Sequence, residues 1–207
     1  MSNQIIKEKI QQAIEILKEK NIDMWITFVR ETKVTKDPMI DMIVGEHSTW
    51  QSAFIINKDG DTAAIVGNIE EENIIKTGLY NKVIGYLKSV KEPLIEYLNE
   101  KNPSKIAINF SKNSVLSDGL TYGMYLLLND YLEGTRFKNS LVSAEEIISA
   151  LRGRKSAAEL SIMKEAIDET LKIFDAVTHF IKPGLTEKDV AEFVKKLMKE
   201  KGFQPAW

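Results

Sequence analysis

The sequence contains no cysteine, which removes disulfide scaffolds, zinc–thiolate centres and cysteine nucleophiles at once. Histidine is nearly as scarce, with two residues, His47 and His179, in 207. No apolar run approaches the roughly 18 residues of a membrane span. The opening stretch from Met1 to Ile10 carries an acid among its apolar residues and no sustained apolar region, so no signal peptide is expected. An excess of either charge is missing as well: 28 Lys and Arg stand against 30 Asp and Glu, a net charge of -2. Nucleic-acid binding calls for a basic footprint that this balance does not supply, and an anionic membrane surface is an equally poor fit. A cytoplasmic protein is expected. Walker and dinucleotide glycine patterns, His-Glu-x-x-His and Gly-x-Ser-x-Gly are all absent. Gly119 and Gly123 fall within a helical pattern and read as packing positions. There is no internal repeat and no low-complexity segment.

What is present is ordinary globular material, 43% hydrophobic and 28% charged, at a length of about one and a half to two domains. Ile6, Ile10, Ala13, Ile14 and Leu17 recur at helical spacing and predict a first helix ending near Asn21. Ile22 to Val29 is a β-rich run with apolar residues on both faces, as in a strand covered on both sides. Residues 30–50 read as a loop. Ala53–Ile56 and Thr62–Val66, about the turn Lys58-Asp59-Gly60, read as a hairpin. Thereafter the pattern alternates. Glu70–Thr77 is a helix stopped by Gly78, Lys82–Tyr86 a strand, and Pro93 opens a helix to about Lys101. Lys105–Phe110 is a strand, Asp118–Tyr131 a helix and Phe137–Val142 a closing strand. The sum is an α/β class: a mixed β-sheet flanked by helices over 1–142. A second segment, 143–207, follows without a Pro/Gly/Ser-rich linker.

That second segment is two amphipathic helices. Leu160, Met163, Ile167, Leu171, Phe174, Val177 and Ile181 form one apolar stripe, with Lys164, Glu165, Asp168, Lys172 and Asp175 on the wet face. Val190, Phe193, Val194, Leu197 and Met198 repeat the arrangement in the next helix. Ser143 with Glu146, Ser156 with Glu159 and, more loosely, Thr186 with Asp189 have capping-box spacing. Between the helices, Pro183 stops the first, Gly184 permits positive φ, and Thr186 caps the second.

Two sets of these residues carry a resemblance. Arg152, Arg154, Lys155, Ser156 and Glu159 match an "Arg…Lys-Ser-x-x-Glu" lead-in. Ile181, Pro183, Gly184, Thr186 and Glu187 match an "Ile-x-Pro-Gly-x-Thr-Glu" turn. Together they resemble the start of the "pita-bread" catalytic domain of the creatinase/aminopeptidase/prolidase metallopeptidases, and residues 1–142 resemble the smaller N-terminal domain of the same proteins. The resemblance implies an Xaa-Pro aminopeptidase- or dipeptidase-like hydrolase. It also implies two divalent metal ions, held by two aspartates, a histidine and two glutamates in the complete protein, that activate a bridging water. Those ligand positions come later in such chains than Trp207. No catalytic, metal-binding or cofactor-binding residue is therefore assigned here, and these 207 residues alone are expected to be inactive.

The resemblance further implies an N-terminal domain overhanging the catalytic cleft, often that of a neighbouring subunit in a homodimer. Arg30, His47 and Trp50, in the 30–50 loop, are the substrate-side candidates: a cation for a peptide carboxylate and an aromatic for a prolyl ring. Bland readings stand beside each proposal. His47 also fits a loop histidine making local hydrogen bonds, His179 a solvated helix residue, and the loop a mere surface excursion. Glu70-Glu71-Glu72 fits a helix N-terminus and Arg152-Gly153-Arg154-Lys155 a helix C-terminus. Two other functions remain open: a non-catalytic dimerisation or interaction module, and a small-ligand-binding α/β domain centred on the 30–50 loop.

Overall fold

The computed structural model describes residues 2–204; residues 205–207, which close the expected second segment and include Trp207, lie outside the described residues. Two compact units follow one another, Met1–Ser156 and Ala157–Trp207. The helix that follows Ser143 packs in the core of the first unit.

In the first unit, α1 (Asn3–Lys20) leads into β1 (Met24–Val29), and the short helix α2 (Ile40–Ile43) interrupts the segment read as a loop. The hairpin β2 (Ser52–Asn57) and β3 (Thr62–Gly67) follows, then α3 (Asn68–Thr77), β4 (Lys82–Tyr86), α4 (Lys91–Lys101), β5 (Ile106–Ile108), α5 (Tyr122–Leu132), β6 (Leu141–Ser143) and α6 (Glu145–Gly153). One six-stranded mixed sheet results, in the order β4-β3-β2-β1-β5-β6. Strand β2 is antiparallel to both its neighbours, and the pairs β3–β4, β1–β5 and β5–β6 are parallel.

Alternation along the central strands builds a core on each face. Trp25, Val29, Phe54, Ile56, Ala64 and Val66 meet α1, α2, α3 and α6. Met24, Ile26, Phe28, Ile55, Ile65 and Ile108 meet α4 and α5. The double apolar face of Met24–Val29 is thus used on both sides, and all six of its residues are buried.

Three local expectations differ from what is observed. The α5 pattern starts at Tyr122, so Gly119 lies in the preceding loop; a Cβ there would sit 2.1 Å from the Asp37 carboxylate, an approach only glycine allows. Phe137–Val142 splits into a 3₁₀ turn, Arg136–Ser140, and the short β6. Ser143 does not cap α6 with Glu146: its Oγ donates to the Phe110 carbonyl at 2.5 Å, and the N-cap is Ala144.

Helix α6 is fastened to α1. Ile147, Ile148 and Leu151 are fully buried. Lys9, itself fully buried, donates from Nζ to the carbonyls of Leu151 at 3.0 Å and Arg154 at 2.6 Å. A cation is thereby placed at the negative end of α6 on groups that have no partner inside the helix. Arg154 forks onto Glu19, and Lys155 donates to the Arg152 carbonyl, so the basic run serves the helix end.

The segment between β1 and β2 is pinned by buried polar bonds. Asn109, just beyond β5, accepts from the Trp25 indole at 2.6 Å and donates to Thr27 Oγ1 at 3.2 Å and Asp37 Oδ2 at 2.9 Å. Asp37 Oδ1 accepts from the Met39 amide at 2.8 Å. Burial raises the Asp37 carboxyl above its ordinary range and outweighs the opposing hydrogen bonds from Asn109 and Met39. Further along, the Glu70 carboxylate in the first turn of α3 accepts from Ser48 Oγ at 3.1 Å and from the Thr49 amide. Glu71 accepts from the Gly85 amide at 3.2 Å. The acids read as helix-dipole partners thus also tie α3 to its neighbours.

In the second unit, α7 (Ala157–Phe180) and α8 (Glu187–Glu200) form a helical hairpin. Thr186 and Asp189 complete a full capping box at the start of α8. Phe180 stacks on Phe193 with centroids 4.0 Å apart. Ala166, Ile173 and Val177 face Val190, Val194 and Met198 across an apolar groove of about 600 Å³. The partner face of α7 is therefore rotated from the expected stripe, and Leu160, Met163, Ile167 and Leu171 remain exposed. His179 is solvated, its ring on the Asp175 carbonyl of its own helix. Among the described residues, no helix is long and apolar enough to cross a membrane.

Two outcomes are expected. Lys9→Met leaves the Leu151 and Arg154 carbonyls without the ammonium and lowers unfolding free energy by about 2–3 kcal/mol in a urea melt. For Asp37, a folded-state pKa above the ordinary 3.8 means the folded protein binds the proton first as pH falls. Wild-type stability therefore gains relative to Asp37→Asn as pH drops through the raised value towards 3.8, and the gain is lost as pH rises again. Paired melts from neutral to acid pH measure this difference; a wild-type stability, relative to the variant, that stays constant or falls on acidification contradicts it.

Candidate functional site

Five of the six strands, all but β2, run the same way, so their carboxyl ends lie along one edge of the sheet. Crevices outside such ends are where α/β sheets present ligand-binding groups. The segment leaving β1 and returning into β2 sits on this edge. Its neck is closed by Glu31 N to Thr49 O at 3.1 Å and Thr32 N to Ser48 O at 2.8 Å. Glu31 takes a left-handed φ of 46°, a conformation that costs a non-glycine residue on the order of 1 kcal/mol or more.

A cleft of about 890 Å³ opens between this neck and the β4–α4 connection. That is within the usual span of small-ligand sites, about 300–1,000 Å³. Arg30 and Trp50 both line it. His47 is exposed on the same segment and does not line it. The three candidates are thus brought to one edge, but only two share a cavity. Trp50 is half-buried, its ring tilted on Tyr86 with centroids 5.8 Å apart. Gly67 lies beneath it, where a Cβ would come within 2.7 Å of the indole. Arg30 is exposed, and among the described residues it has no hydrogen-bond or ion-pair partner.

Several lining residues escaped sequence reasoning. Gln51 is clasped by two tyrosines: Tyr86 donates to its backbone carbonyl at 2.7 Å, and Tyr131 donates to Oε1 at 2.8 Å. Burial, with Glu70 and Tyr131 adding smaller repulsions, pushes the Tyr86 phenol up to about 12, so it remains a donor at neutral pH. Leu87 and Lys88 form the opposite wall. Nothing local in the sequence marks these positions, since the cleft joins β1, β2, β4 and α5, which are far apart in the chain. Helpful signals were the length of the 30–50 segment and the tyrosines at element ends.

Arginine, lysine, glutamine and aromatic rings can bind and orient a ligand. Among the described residues, no three of histidine, aspartate or glutamate converge as metal ligands, so the side chains present do not fit a binuclear centre.

No family model matches the chain. An uncharacterized peptidase of Staphylococcus saprophyticus is 26% identical over 199 residues, which cover 94% of this chain and 50% of that protein. Among solved structures, an Xaa-Pro dipeptidase from Bacillus anthracis matches with a TM-score of 0.59 at 19% identity, over 95% of this chain and 49% of its own. The dipeptidase PepE from Mycobacterium ulcerans matches with a TM-score of 0.60 at 16% identity, over 97% and 51%. The chain thus spans about half the length of these relatives. With its six-stranded mixed sheet and flanking helices, it has the fold of the N-terminal part of the Xaa-Pro dipeptidases and prolidases, the resemblance its Arg-Lys lead-in and Pro-Gly turn carry in sequence.

Proposed function

We propose that these residues are the N-terminal portion of a metal-dependent Xaa-Pro aminopeptidase- or dipeptidase-like hydrolase acting in the cytoplasm. The supporting observation is a fold likeness that runs along nearly the whole of this chain and half of each relative. In that reading residues 1–142 are the N-terminal domain and 143–207 the first helices of the catalytic domain. The two divalent cations bind to the rest of the protein and there supply an activated water. Arg30, His47 and Trp50 face the substrate peptide, the first as a cation for its carboxylate and the last as a flat apolar surface for its prolyl ring. The complete protein is a homodimer.

A second reading draws on the bare side of α7. Leu160, Met163, Ile167 and Leu171 are each 45–59% exposed along one helix. Burying such side chains is worth ~1.5–3 kcal/mol each. An interaction module that docks or dimerises through this face would also account for it. Sedimentation equilibrium of the purified chain tests the dimerising form of this reading: dimers that Leu171→Glu dissociates favour it, and a monomer indifferent to the change removes it.

For the leading reading, the 207-residue chain with added Mn²⁺, Co²⁺ or Zn²⁺ is expected to release no amino acid from Ala-Pro or Phe-Pro. Metal-dependent, saturable turnover overturns this expectation. In the complete enzyme, Arg30→Ala and Trp50→Ala should each lower kcat/KM about tenfold, the equivalent of ~1.4 kcal/mol. His47→Ala, lying outside the cleft lining, should act only on longer peptides. Changes under about twofold at all three positions, with unfolding midpoints intact, would remove the loop from substrate recognition.

A further inference from the structure

We infer that the outer side of β4 is a strand-pairing surface for a second copy of this chain, held shut by the Glu71 carboxylate. Strand β4 is one of the sheet's two outermost strands, and among the described residues it pairs with β3 alone. The other outermost strand, β6, has three residues, too few to seat a partner; β4 has five. An outer strand presents unpaired backbone groups along its free side, and folded proteins block that side with proline or an unneutralised charge. Strand β4 contains no proline. Its Lys82 ammonium is already engaged, bound to Glu100 at 2.9 Å and 5.5 Å from the centre of the Tyr97 ring.

Glu71 supplies the block. From the first turn of α3, its Oε1 accepts from the Gly85 amide at 3.2 Å. An N–H given to a side chain is not part of the ladder to β3, so Gly85 turns its N–H outward. By the alternation of backbone groups along a strand, Val83 does the same. Those are the two residues that an added strand would bind. Gly85 also leaves the space Glu71 needs: a Cβ there would lie 2.2 Å from Oε2. The carboxylate therefore takes the amide and fills the position above it.

Beneath that block the edge is self-complementary. An antiparallel pairing centred on Ile84 sets Val83 against the second copy's Gly85, joining the outward-facing backbone groups of both. Val83 and Ile84 are half-buried, one against each core of the sheet, so a second strand extends both cores. Pairing requires each Glu71 to release its amide. It also brings the two Gly85 positions, each with its carboxylate, to a diagonal of about 8 Å. Both effects oppose the dimer, and both disappear with the carboxylate.

The test is sedimentation equilibrium of the full chain carrying Leu171→Glu, which removes association through α7, with and without Glu71→Ala. Glu71→Ala is expected to tighten self-association at least about tenfold. In that variant, hydrogen exchange at the Val83 and Gly85 amides should be slower in a concentrated sample than in a dilute one. Gly85→Ala should act in the same direction, since its Cβ displaces the flexible end of Glu71 while the charge stays on the chain. Val83→Pro, added to Glu71→Ala, should restore the parent's behaviour, because it removes an outward N–H and no ladder bond. Should the proline variant fail to fold, the exchange measurement decides by itself. No association of the Glu71→Ala chain beyond its parent up to about 1 mM overturns the assignment. Association that leaves Val83 and Gly85 unprotected overturns it equally.

Discussion

The carboxyl edge of the sheet depends on one buried side chain, Asn109. Its Oδ1 accepts from the Trp25 indole, which can only donate, and its Nδ2 reaches the Asp37 carboxylate. Those partners fix which way the amide points. Its backbone carbonyl accepts from the Leu120 amide at 2.8 Å, which sets the start of the chain into α5. One residue thus joins β1, β5, the β1–β2 segment and the approach to α5, in a setting where an unmet polar group is costly. Gly119 completes the joint, since only a missing side chain leaves space for Asp37 against that turn. Because the segment is held at Asp37 and again at Glu70, its intervening backbone is short-tethered. Arg30 and Trp50 are consequently presented from a supported loop.

Much of this was legible in the sequence, and the failures have physical causes. Period-3.6 and period-2 patterns located α1, the β2–β3 hairpin, α3, β4 and α4 within a residue or two, because each has a face to bury and a terminal signal such as Gly78 or Pro93. The stretch from Asp118 reads as helix because Leu120 continues the apolar period of α5, while Gly119 serves Asp37, a partner some eighty positions earlier. Ser143 shows the same kind of effect: its hydroxyl accepts from the Glu145 amide at the start of α6 at 3.2 Å but spends its proton on the Phe110 carbonyl, and the box with Glu146 is not formed. Long-range polar partnerships leave no period in the sequence.

The candidate site divides the same way. The aromatic and the cation of the 30–50 segment drew attention through local composition. Gln51 did not, since a glutamine at the start of a strand carries no signal until Tyr86 and Tyr131, from β4 and α5, close on it. The histidine, conspicuous for its rarity, lies outside the cavity. Rarity of a residue type informs about chemistry in general and very little about position.

The energetics of Asp37 favour a role in positioning over one in stability. Its carboxyl is raised by burial despite two hydrogen bonds, so the ionised form carries a solvation cost that those bonds do not offset. An apolar residue would spare the fold that cost but would release Met39 and Asn109, and with them the geometry of the neck. Glu31, left-handed at the lip of the cleft, adds a second local cost in the same segment. The two central strands on either side bury every residue and bear no comparable burden. Unfavourable terms concentrated in one loop, above a sheet packed on both faces, are the distribution expected where a stable scaffold holds a binding edge in shape.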